Sequence, residues 1–169
     1  MTKTLRPVTL TREAFAPFGD VIQTEGAKQF TINEGTTTRF HDLAHVDTLE
    51  QAGRPIISIF RGDPRALPFP VHIMERHPLA SQAFIPLSCR PYLVVVAEPD
   101  IADGKDITAD DLHVFIAQPG QGVNYARNVW HHPLIALDMQ SDFLIVDRGG
   151  EGDNLVEVHF VEPIAVLEL

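Results

Sequence analysis

Glu75 and His77 stand two residues apart in an alternating stretch, Val71-His72-Ile73-Met74-Glu75-Arg76-His77, which Pro78 closes. Side chains at i and i+2 of a strand share a face, so a carboxylate and an imidazole would point the same way. Gln82 follows the Pro78-Leu79 turn, at the start of the next apolar run. Further along, the stretch from His113 to Asp138 breaks at Pro119-Gly120-Gln121-Gly122. It then carries Asn124, Tyr125, Arg127, Trp130, His131 and His132 before Pro133 opens the run Leu134–Leu137. Polar side chains offered from a turn between two β-prone segments are what a site on a rigid sheet looks like. Adjacent histidines on a strand point to opposite faces, so one of His131 and His132 faces a cavity while the other is held by structure.

Converging in the mouth of a small barrel, these groups suit general acid–base chemistry, with His77, His131, His132, Gln82 and Asn124 as the catalytic candidates. Glu75, His77, Gln82 and His131 also make a candidate set for a divalent metal, since imidazole suits nickel, zinc or iron and oxygens suit manganese. A histidine without supporting neighbours is ordinarily a hydrogen-bonded structural or surface group. His41, His45, His72, His113 and His159 are read that way. The chain carries a net charge of −10, so a carboxylate substrate would need a local cation, and arginine grips carboxylates at two points. Arg39, Arg61 and Arg148, with Tyr125, are the substrate-binding candidates. Arg127 is a further one, and each arginine could instead be a surface ion pair.

The elements that must position these groups are short. Thirteen Pro and eleven Gly divide the 169 residues into about ten strands, the pattern of an antiparallel barrel or jelly roll. The expected strands include Ile56–Phe60, Val71–His77, Ala83–Leu87, Tyr92–Val96, Leu112–Ile116, Leu134–Leu137, Phe143–Val146 and Val156–Phe160. Thr11 is placed to cap one short helix that Gly19 stops. No composition break or repeat divides the chain, so residues 1–169 are expected to form a single domain.

Acidic charge argues against nucleic acid and anionic membrane as partners. No apolar run approaches the ~20 residues of a bilayer span, and the N-terminus lacks the apolar core of a signal peptide. A lone Cys89 fits a reducing compartment, so a cytoplasmic location is expected. Phosphate-cradling, dinucleotide and nucleophile-elbow motifs do not occur in this sequence.

Three runs resemble the ureidoglycolate lyase family. They are Glu75-Arg76-His77-Pro78-Leu79 with Ser81-Gln82-Ala83-Phe84-Ile85-Pro86, then Gly122-Val123-Asn124-Tyr125 through Trp130-His131-His132-Pro133-Leu134, and Asp142 to Gly150. The resemblance extends from about residue 5 to 160 and implies a cupin-like β-barrel with a small-molecule substrate, acting as a homodimer in allantoin catabolism. The implied reaction splits (S)-ureidoglycolate into glyoxylate and urea, with nickel as the metal the resemblance suggests. Against the general cupin pattern, Glu75-x-His77 stands where a His-x-His pair would be, and Gln82 stands near the usual glutamate. A metal-free acid/base site with an arginine clamp is the alternative. An ammonia-releasing hydrolase of the same pathway, or a barrel that senses a small acid without turning it over, are the competing functions.

Overall fold

The computed structural model describes residues 2–169. The chain opens with β1 (Lys3–Leu5) and β2 (Val8–Thr9), then α1 (Arg12–Phe15) and β3 (Gly19–Ile22). Thr11 caps the helix as expected, its hydroxyl oxygen accepting from the Ala14 N–H at 3.2 Å. A hairpin of β4 (Gln29–Ile32) and β5 (Thr37–Phe40) follows. Next come β6 (Arg54–Gly62), β7 (Phe69–Val71), β8 (Ile73–Arg76), β9 (Gln82–Pro86) and β10 (Tyr92–Ala97). The rest are β11 (Leu112–Ala117), β12 (Gly122–Tyr125), β13 (Ile135–Ala136), β14 (Ser141–Gly149), β15 (Val156–His159) and β16 (Ala165–Leu167).

One antiparallel sheet has the order β3-β12-β9-β14-β6. A second has the order β13-β10-β11-β2, with β2 running parallel to β11. The inner face of the first sheet, through Val21, Phe84, Val123, Tyr125, Phe143 and Ile145, packs on Tyr92, Val94, Val96 and Phe115 of the second. The opposite face of β10 and β11, through Leu93, Val95, Leu112 and Val114, packs on Met74, Val158, Ala165 and Leu167. Strand β10 therefore lies between two cores. That is why its sequence, YLVVVA, is continuously apolar where a half-exposed strand would alternate. The architecture is all-β and cupin-like, with facing sheets and no continuous closed barrel among the described residues.

Three local expectations are corrected. The run 71–77 is not one strand, because His72 leaves the ladder between β7, which pairs with β16, and β8, which pairs with β15. The His72 carbonyl still accepts from the Phe160 N–H at 2.8 Å, and its Nδ1–H donates to the Phe160 carbonyl at 3.0 Å. Gly122–Tyr125 is not turn but strand, paired with β3 on one side and β9 on the other. Gly19, at its far end, has φ of 143°, and a Cβ there would fall 1.9 Å from the Asn124 carbonyl oxygen, so only glycine fits. The run 134–137 shrinks to the two residues of β13. No helix among the described residues is long and apolar enough to cross a membrane.

Candidate active site

His131 sits where β8 meets β10. Its backbone exchanges two hydrogen bonds with Glu75, at 2.7 and 2.8 Å, while the N–H groups of Ala97 and His132 donate to Trp130 and Val95, each at 2.9 Å. The extended backbone then sorts three consecutive side chains. Trp130 enters the second core, and the His132 ring meets Phe69 edge-on at 5.3 Å. His131 goes the other way and stacks on Tyr125, at 4.1 Å and 10° between planes. Of the two adjacent histidines, His131 is the one that turns toward Glu75 and His77.

Every other contact of the His131 ring fixes its direction. The Nδ1–H donates to the Val129 carbonyl at 2.9 Å, which leaves the lone pair on Nε2. That nitrogen is buried and has no hydrogen-bond partner. The Glu75 Oε1 lies 3.4 Å away, and the His77 ring lies 5.2 Å away, centroid to centroid. His77 is held the same way, its Nδ1–H donating to the Asn154 carbonyl at 2.7 Å. Its Nε2 lies 3.0 Å from Gln82 Oε1. With Oε1 on that side, the Gln82 NH₂ is left to donate to Asp147.

Burial, followed by the neighbouring His131, lowers the pKa of His77. Burial raises the pKa of Glu75, but the close approach of His131, followed by the positive charge that His131, His77 and His132 carry when protonated, outweighs it and lowers the pKa overall. Burial and the Glu75 charge raise Tyr125, so its phenol stays protonated. Donor atoms of Glu75, His77 and His131 lie within 4.8 Å of one another. An unpartnered buried Nε2, two imidazoles oriented by backbone carbonyls, and a carboxylate are the donor set and outer support that a divalent ion needs. The residues fit the group.

Two cavities open on this cluster. One of about 250 Å³ is lined by His77, Gln82, Asp147, Asn154 and Leu155. Another, of about 510 Å³, is lined on the Glu75 side by Phe60, Arg61, Phe84 and Leu134 among others.

The remaining candidates are placed elsewhere. His132 donates from Nδ1 to the Pro133 carbonyl at 2.7 Å, and burial lowers its pKa to about 4. It is a neutral packing histidine outside the cluster, and Trp130 is a core residue. Asn124 points away from Tyr125, because neighbours on a strand alternate, and its amide ties Asp20 to the His45 carbonyl at 3.0 and 2.9 Å. Arg148 is buried, and its guanidinium donates to the carbonyls of Glu50, Gln51 and Glu151. It clamps a loop. Arg61 reaches a cavity rim but is held by Asp142 through two bonds of 2.7 Å. Arg127 is held by Asp47 and Glu50, and Arg39 lies on the exposed hairpin. No predicted arginine enters the cluster. Asp147 and Asn154 were missed, although the period-2 pattern Phe143, Ile145, Asp147 already put Asp147 on the inner face of β14.

A cupin-like β-sandwich with two imidazoles and a carboxylate gathered at the edge of its inner core is the class of protein that fold and site define. The family described as ureidoglycolate lyase matches residues 2–167. A Burkholderia mallei protein named ureidoglycolate lyase is 57% identical over 162 residues, covering 96% of this chain and 92% of the relative. One of the same name from Brucella anthropi is 58% identical over 159 residues, covering 94% and 91%. A third, from Burkholderia cepacia, is 54% identical over 157 residues, covering 93% and 86%. The chain belongs to the ureidoglycolate lyase family.

Proposed function

We propose that this chain cleaves (S)-ureidoglycolate into glyoxylate and urea. Near-complete alignment with relatives of that name carries the reading, and the Glu75/His77/His131 cluster gives it a chemistry. Loss of the hydroxyl proton turns the C–O bond into a carbonyl. The C–N pair then leaves with nitrogen, which takes up a proton, and no water is consumed. Glu75, His77 and His131 would hold a divalent ion, with nickel the candidate that the family resemblance offers. A bound ion supplies the positive charge that the site's own side chains lack, for the substrate's carboxylate and hydroxyl. The chain's own groups do the positioning. The Val129 and Asn154 carbonyls fix both imidazoles, and Tyr125 holds the His131 plane.

One observation favours a second reading of the same reaction. Glu75 Oε1 lies 3.4 Å from His131 Nε2, where it would accept the N–H formed when that nitrogen takes a proton, so the pair could act as a general base without a metal. Assays of urea, glyoxylate and ammonia from (S)-ureidoglycolate, before and after chelation, decide both points. Equimolar urea and glyoxylate without ammonia establish the lyase. Activity lost on chelation and restored by a divalent ion establishes the metal, whereas activity that survives verified metal removal assigns the proton to His131. Ammonia as a product would mean a hydrolase instead.

The same reading holds residues 1–169 as one working domain in a reducing cytoplasm, and as a homodimer. The outer face of β6 supports the dimer, with Ile57 70% and Ile59 53% exposed beside each other's neighbours on β14. An apolar sheet face left open to water is a surface for a second copy.

A further inference from the structure

The cavity beside His77 holds a carboxylate with one oxygen left unpaired. Asp147 lies on the inward face of β14, one pleat beyond Ile145. It lines the space of about 250 Å³ with His77, Gln82, Asn154 and Leu155. One of its carboxyl oxygens is buried without a hydrogen-bond partner, while Gln82, which also meets His77 at 3.0 Å, hydrogen-bonds the carboxylate. A buried acceptor without a donor is a defect unless something else supplies the N–H.

The two ends of ureidoglycolate meet such a site differently. Its carboxylate would be repelled by Asp147. Its ureido end carries N–H donors on both nitrogens, spaced like the fork with which a guanidinium grips the two oxygens of a carboxylate. A ureido carbonyl also needs a donor, which an amide such as Gln82 can provide. Resting on the lyase reading above, we propose that Asp147 is the residue that recognises the ureido group, so that the cavity of Asp147, Gln82 and Leu155 receives the end of the substrate that departs as urea. The carboxylate and hydroxyl then lie toward Glu75, His77 and His131, and the bond to be broken spans the two halves of the site. Specificity follows: a hydroxy acid without a ureido group leaves the buried Asp147 oxygen unpaired and binds by one half only.

Calorimetric binding of two fragments tests this without requiring turnover. Ureidoacetate keeps the ureido and carboxylate groups and lacks the hydroxyl, while glycolate keeps the carboxylate and hydroxyl and lacks the ureido group. Asp147→Asn is expected to weaken ureidoacetate about tenfold or more, and Asp147→Ala further, with glycolate affinity unchanged. Equal weakening of both fragments, as from a distorted pocket, or of neither, overturns the proposal, as does failure of the unaltered protein to bind ureidoacetate. Failure of the lyase reading shows separately, as no urea released from ureidoglycolate by the unaltered protein.

Discussion

At the scale of the residue, His131 and His77 have matched constraints: each gives its Nδ1–H to a backbone carbonyl and turns Nε2 toward Glu75 or Gln82. His77→Ala and His131→Ala should each lower kcat/KM by about 100-fold or more, the range for removing a positioned acid–base group, with the circular dichroism spectrum unchanged. Near-normal turnover in both variants would place the chemistry elsewhere. Arg148 gives the opposite expectation. It satisfies carbonyls in the loop where Gln51 and Ala52 adopt φ of 48° and 56°, so Arg148→Ala strips several charged hydrogen bonds from strained backbone. Denaturation should show a loss of about 2–4 kcal/mol, with KM of the still-folded protein little altered.

Period-2 spacing was enough to pair Glu75 with His77 and to set His131 against His132, because strand geometry forces both. It could not say which histidine faces in, since that depends on which of two cores Trp130 enters. Nor could it assign the arginines. Arg148, Arg127 and Arg61 are occupied by groups 98, 80 and 81 positions away, and such pairings leave no local mark.

At the scale of the element, strands with local signatures were legible and those made by distant partners were not. Strand β10 announced itself by its apolar run. Strand β12 reads as turn because Pro119 to Gln121 precede it and Gly122 opens it, and its ladder partners are residues 19–22 and 82–84. The two- and three-residue strands β1, β2 and β16 are too short to show alternation. The turn before β11 is held by Asp111, whose carboxylate accepts from the Thr108 N–H and hydroxyl at 2.8 and 2.6 Å. Those bonds lower the Asp111 pKa. A lowered folded-state pKa means stability that is present above the unfolded value of about 3.9 and lost as pH falls through the folded value. Because the turn is at the surface, Asp111→Asn should cost under about 1 kcal/mol at pH 6 and progressively less below pH 4. A penalty that grows on acidification would contradict this assignment.

At the scale of the molecule, two cores share one strand, and the exposed apolar face of β6 lies on the far side of the first. Ile59→Arg, or Ile57→Asp, should shift the sedimentation coefficient from dimer to monomer without changing the strand content of the spectrum. A monomeric parent protein would remove the premise.

The position of His131 has one more consequence. Its backbone closes the seam between β8 and β10, and its side chain forms part of the site. Whatever fills the site therefore also fastens two segments that come from distant parts of the sequence. Thermal melting should rise with ligand concentration, by an amount equivalent to about 2.7 kcal/mol at one hundred times the dissociation constant, so a melting curve can rank ligands for this protein before any reaction is assayed.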